Sequence, residues 1–273
     1  MWTLQASLCP DLRARFRLLL VYILLVLAAL AGRSTNARAR RLRIRAAGRD
    51  RDWWVADPME VAALWTVFVG GEYGDFLPAG PRLVVDAGAN VGSATLWFRE
   101  RYPDARVIAI EPNPTVLDRL IRNVGGDPNV HIVNAALSDS DGKASFALEP
   151  TTTLQGRLGG GRGHVAVEVE TLTLRTVRER FADGATIDVL KLNVEGAEWP
   201  ILAGPLDSVG TIAIEIHGPV PANQDPDAVL RAVARRGGFE LRHGHSPTLA
   251  PRNIRWLVRA EVPEMAADSG VPA

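Results

Sequence analysis

Two hydrophobic patterns alternate along most of this chain. Mostly apolar runs at 83–86, 106–111, 130–137, 187–192 and 211–217, each carrying a few polar residues, suit buried strands. Between them, apolar residues recur every three or four positions, as on a helix with one buried side. Val61, Leu64, Trp65 and Phe68 do so after Asp57-Pro58, with Asp57 as N-cap and Pro58 in the first turn. Residues 93–98 start a second helix, and Val116, Leu117, Leu120 and Ile121 mark a third over 115–124. Further helices fall at 173–181 and 225–236, and final strands at 239–241 and 254–258. Residues 143–148 and 164–169 alternate polar with apolar, which predicts an antiparallel pair. The Gly-rich stretch Gly159-Gly160-Gly161-Arg162-Gly163 connects that pair as a surface loop able to close over a substrate. Strands alternating with helices predict an α/β fold: a doubly wound, Rossmann-like, mostly parallel sheet with antiparallel last strands and a β-hairpin insertion.

The first 52 residues break this rhythm. An apolar run at 18–31 follows Arg13, Arg15 and Arg17 and precedes Arg33, Arg38, Arg40, Arg41, Arg43 and Arg45. As a helix it would reach about 21 Å, short of the ~20 residues that span a bilayer. Three readings fit: a signal peptide cleaved near Ala29-Leu30-Ala31, an anchor, or a helix packed on the domain or lying in the membrane interface. Arginines directly after the run oppose export and leave the body of the protein in the cytoplasm. The expected organisation is an N-terminal extension at 1–52, one catalytic domain at 53–262 and a disordered tail at 263–273. Formal net charge is zero, which gives no reason to expect nucleic-acid binding. The single cysteine, Cys9, excludes an internal disulfide and a Cys-based metal site.

Candidate chemistry gathers where the first buried run ends, at Val85-Asp86-Ala87-Gly88-Ala89-Asn90-Val91-Gly92. Gly88, Asn90 and Gly92 tolerate the backbone of a tight strand-to-helix turn. Such a turn aims backbone N–H groups at a ligand. Dinucleotide enzymes place a glycine where this chain has Asn90. Asp86 would repel a pyrophosphate but suits a ligand with ammonium and sulfonium charges, such as S-adenosylmethionine. Glu111 closes the next run, a little over twenty residues on, where an acid binds ribose hydroxyls.

These stretches resemble the FkbM-type methyltransferases, a branch of the class I enzymes that use S-adenosylmethionine. The resemblance rests on the Asp86–Gly92 turn, Ala109-Ile110-Glu111-Pro112-Asn113-Pro114, Asn134-Ala135-Ala136-Leu137-Ser138-Asp139, Leu190-Lys191-Leu192-Asn193-Val194-Glu195-Gly196-Ala197-Glu198 and Glu215-Ile216-His217. It covers roughly residues 57–217. It implies methyl transfer to a hydroxyl of a small acceptor: a sugar, polyketide or other natural product. On that basis Asp86 holds the methionine ammonium, directly or through water, and the N–H groups of residues 88–92 its carboxylate. Glu111 binds the ribose, and Ala136 and Leu137 lie near the adenine.

For the base, His217 titrates near neutrality and stands first, with Glu215 orienting it and Glu195 as the other candidate. Glu198 and Trp199 read as capping or packing. No spacing demands a metal. Asn193 stands where the family usually carries Asp, which removes a charge and a proton acceptor. Two rivals follow: a membrane-tethered binding module with weakened catalysis, and a nicotinamide-dependent oxidoreductase.

Overall fold

The computed structural model describes residues 8–30, 39–46, 48–148, 157–158, 165–217, 220, 224–244 and 254–259. The whole Gly-rich stretch 159–163, Ala31, Arg33, Arg38 and the expected C-terminal tail lie outside them.

A seven-stranded sheet carries the fold. Its parallel body comprises β3 (Leu83–Ala87), β4 (Arg106–Ile110), β5 (Val130–Val133), β10 (Ile187–Leu192) and β11 (Val209–Glu215). The strands β12 (Phe239–His243) and β13 (Ile254–Arg259) complete it, in the order β12-β13-β11-β10-β3-β4-β5. Only β13 runs against the rest: it is antiparallel to both β11 and β12. The inner body strands are buried on both faces, as their Val, Ile and Leu residues require, while the edge strand β5 buries only Val133.

Helices cover both faces: α2 (Pro58–Phe68), α3 (Ser93–Arg101), α4 (Pro114–Val124), α5 (Leu174–Phe181), α6 (Glu198–Ala203) and α7 (Pro226–Gly237). Asp57, Asn113 and Asp225 cap α2, α4 and α7, each accepting a backbone N–H with Pro in the first turn.

The structure departs from the expected elements in three places. The apolar run at 130–137 is two strands, because the chain leaves the main sheet at Asn134. The Asn134 amide donates to the carbonyls of Glu111 and Pro112, holding the bend. Ala136–Leu137 (β6) then joins a second sheet ordered β6-β9-β7-β8, with β7 (Gly142–Leu148), β8 (Arg157–Leu158) and β9 (Val165–Leu172). The expected antiparallel pair is β7 with β9.

A hairpin of β1 (Arg40–Ala46) and β2 (Arg49–Val55) occupies what reads as a charged linker, and β2 runs across the expected domain boundary. Its arginines alternate with Leu42, Ile44 and Ala46, which are buried. With Trp53 and Val55 they share a core with α2, α4 and Val91 of the glycine turn. Finally, the apolar run belongs to a longer helix, α1 (Leu12–Leu30), whose Leu18, Val21 and Leu25 enter that core. No helix among the described residues is long and apolar enough to cross a membrane.

Candidate active site

At the carboxyl ends of the parallel strands, a crevice runs across the first strand of the body. One half is lined by Glu111, Asn113, Ala136, Leu137, Phe146 and Leu158. The other holds Tyr73, Ser93, Lys191, Glu215 and His217. Gly88, Asn90, Asn193 and Glu195 line both halves.

Gly88 is required by space as well as conformation. Its φ is +77°, and a Cβ there would lie 1.8 Å from the Asn193 carbonyl oxygen. Asn90 adopts φ 51°, and its side chain accepts the Val91 N–H. The turn does not present its N–H groups as expected. Gly88 and Ala89 both donate to the Ile110 carbonyl, Asn90 to Glu111, and Gly92 to Ala89. With Val91 already bonded to Asn90, all five are consumed in shaping the turn. What faces the crevice instead is the start of α3, where Gly92 provides no side-chain cap and the buried Ser93 hydroxyl has no partner among the described residues. Unpaired N–H groups at a helix start suit a carboxylate.

Asp86 is likewise placed differently. It is buried and absent from the crevice lining, with Lys191 Nζ 2.9 Å from one oxygen and the Thr95 hydroxyl donating to the other at 2.6 Å. Lys191 also donates to the carbonyls of Gly88 (2.7 Å) and Ala87 (3.3 Å). Asp86 is thereby tied to the glycine turn through Lys191, and its carboxylate does not line the crevice. Lys191 had one legible signal: it is a lone lysine in an apolar strand. Its partner emerges only from the register that sets it beside Asp86.

Glu111 lies where the spacing predicts. Its two oxygens accept the N–H groups of Asn90 and Asn113, both at 2.8 Å. Each oxygen keeps a further lone pair. Burial drives its pKa up to about 7 against these two hydrogen bonds and the nearby Lys191 charge, with Asp86 adding to the rise.

The other half holds a cluster assembled from three elements. His217 lies two residues past the end of β11. Its Nε2 is 3.6 Å from Glu215 and 3.7 Å from Glu195, and its Nδ1 is 3.6 Å from Glu198. Glu198 is fully buried and accepts the N–H groups of Val194 and Gly196, so it braces the turn that leads into α6, a helix without a side-chain cap. Burial works against the imidazolium, but Glu198, Glu195 and Glu215 outweigh it, and the His217 pKa rises to about 9. The three carboxylates around it favour the imidazolium over the neutral ring that a base requires. Glu195 is the opposite case. Burial raises its pKa to about 7; His217 opposes the rise, and Glu215 and Glu198 add to it. Its backbone sits at φ 54°, a conformation that a non-glycine residue adopts at some cost and that projects Glu195 into the crevice lining. Asn193 Nδ2 donates to Glu215 at 2.6 Å. An Asp there would set two carboxylates against each other.

A parallel sheet with one reversed strand, a glycine turn after its first strand and an acid after the second define a Rossmann-like enzyme of the class I methyltransferase type. The family model for the methyltransferase FkbM domain matches residues 86–241. The chain belongs to the FkbM methyltransferase family, as the motifs implied, and membership implies S-adenosylmethionine as the donor. The chain is 32% identical over 163 residues to methyltransferase sdnD of Sordaria araneosa, covering 47% of this chain and 61% of that protein. It is 30% identical over 157 residues to the hexuronic acid methyltransferase AglP of Haloferax volcanii, covering 55% and 60%. It thus spans about three fifths of the length of these relatives. Among solved structures, an FkbM methyltransferase from Methylobacillus flagellatus aligns with TM-score 0.42 at 13% identity, over 73% of this chain and 54% of that one.

The crevice residues fit such a donor. Glu111 keeps acceptors for a diol, and Ala136, Leu137, Phe146 and Leu158 form an apolar wall for a purine. The unpartnered Ser93 hydroxyl and the α3 start suit a carboxylate.

Proposed function

We propose that this protein is an S-adenosylmethionine-dependent O-methyltransferase acting on a hydroxyl of a sugar, polyketide or related small molecule. The observation that carries the reading is Glu195, a carboxylate in the wall shared by the two halves of the crevice and 3.7 Å from His217. The names of two relatives support the acceptor class: a hexuronic acid methyltransferase, and the 2-O-methyltransferase NoeI of Sinorhizobium fredii, 26% identical over 140 residues.

The bound donor supplies an electrophilic methyl group. This chain's residues align the acceptor and take its proton. Glu195 accepts the hydroxyl proton. The His217 imidazolium, 3.7 Å away, favours the ionised form of Glu195 and stabilises negative charge developing on the acceptor oxygen. Glu215, held by Asn193, keeps His217 protonated. Glu111 orients the ribose, and Lys191 with Asp86 holds the turn beneath it.

The test is incubation with S-adenosylmethionine and a panel of hydroxylated sugars and polyketides, read as a mass gain of one methyl group. Glu195→Gln should lower turnover by about 10²-fold or more with little change in donor affinity. Donor binding by wild type with no transfer to any hydroxyl would overturn the proposal.

A further inference from the structure

Away from the crevice, α1 presents an apolar face that the described residues leave uncovered. Leu18, Val21 and Leu25 point into the core, while Leu12, Phe16, Leu20, Ile23, Leu24, Leu27 and Leu30 are exposed. Exposure reaches 77% at Leu12, 69% at Phe16 and 80% at Leu30. Of eleven large apolar side chains left exposed among the described residues, these seven share one helix. Their spacing of three or four places them in a single stripe along about 28 Å. A contiguous patch of this kind marks an interaction surface, whereas scattered exposed leucines do not.

Charge identifies the occupant. Residues 1–55 hold eleven arginines and three aspartates, although the whole chain is neutral. Arg13 and Arg17 are exposed beside the stripe. Arg17 donates to the Arg41 carbonyl, which ties the helix to β1, where Arg41, Arg43 and Arg45 all point outward. Asp50 and Asp52 offset only part of this charge. The stripe contains no acid that a second copy of the chain could use to meet these arginines. A lipid surface supplies apolar depth and anionic headgroups together. Because one side of α1 is committed to the core, the helix lies along such a surface and does not cross it.

We infer that α1 and the β1–β2 arginines form a docking surface for an anionic membrane, with the exposed leucines and Phe16 entering the headgroup boundary. This surface is separate from the methyl-transfer crevice, and its test does not depend on the activity.

The full chain is sedimented with vesicles of phosphatidylcholine alone, or with about one-third phosphatidylglycerol. Wild type should pellet with the anionic vesicles about tenfold more strongly than with neutral ones, and less as salt rises. Leu20→Glu with Leu27→Glu should abolish pelleting while leaving the unfolding temperature within a few degrees, since both positions are exposed. Arg13→Gln with Arg43→Gln should weaken anionic binding without touching the apolar stripe. Failure of wild type to pellet, or equal pelleting with neutral and anionic vesicles, would overturn the inference. So would a dimer that the double Glu variant disperses while vesicles are ignored.

Discussion

At Glu195 and His217, the question of which residue takes the proton is decided by surroundings and not by residue type. A histidine facing three carboxylates keeps its proton, and a half-buried glutamate among like charges gains basicity. At saturating donor and acceptor, turnover should rise with pH as Glu195 ionises near 7. It should fall as His217 loses its proton near 9, giving a plateau between. A single limb rising near 9 would show that neutral histidine is the base. Asn193→Asp should move the rising limb to higher pH, because a further negative charge beside Glu215 adds to the like charges that oppose ionisation of Glu195. Higher activity across the whole range would instead mark Asn193 as an impairment. The buried Asp86–Lys191 pair predicts a stability effect. Lys191→Met leaves a buried carboxylate without its cation and should cost about 3–5 kcal/mol in urea unfolding, partly restored by Asp86→Asn in the same chain.

At the level of elements, the strands and capped helices were legible because their residues announce them. Runs rich in Val, Ile and Leu have few other uses, and Asp57-Pro58 marks a helix start by its side-chain chemistry. The β1–β2 hairpin was not, because Leu42 and Ile44 are hidden in a series of arginines that reads as charge. The fate of the turn's N–H groups was also unreadable, since it depends on a neighbouring strand's carbonyl. The position of Glu111 was legible because it depends on a strand end; the histidine cluster was only partly so, because its charge environment depends on elements distant in sequence. Gly88→Ala tests the turn: the added Cβ meets the Asn193 backbone and should cost about 3 kcal/mol, with donor affinity falling alongside.

Across the whole molecule, the hairpin and the donor crevice share one support. The Asn123 amide donates to the carbonyls of Trp54 and Val91, and its oxygen accepts the Trp54 N–H. A chain starting at residue 56 should therefore lose cooperative unfolding and bind donor weakly by calorimetry. The reversed strand has a different consequence, one that concerns the ribosome. β13 sits between β11 and β12, so during synthesis the edge of β11 has no neighbour on that side until Ile254–Arg259 has emerged. Nascent chains stalled before that point expose an open strand edge, the usual template for illicit pairing. They should be captured by chaperones, and digested by protease, far more readily than chains stalled after it.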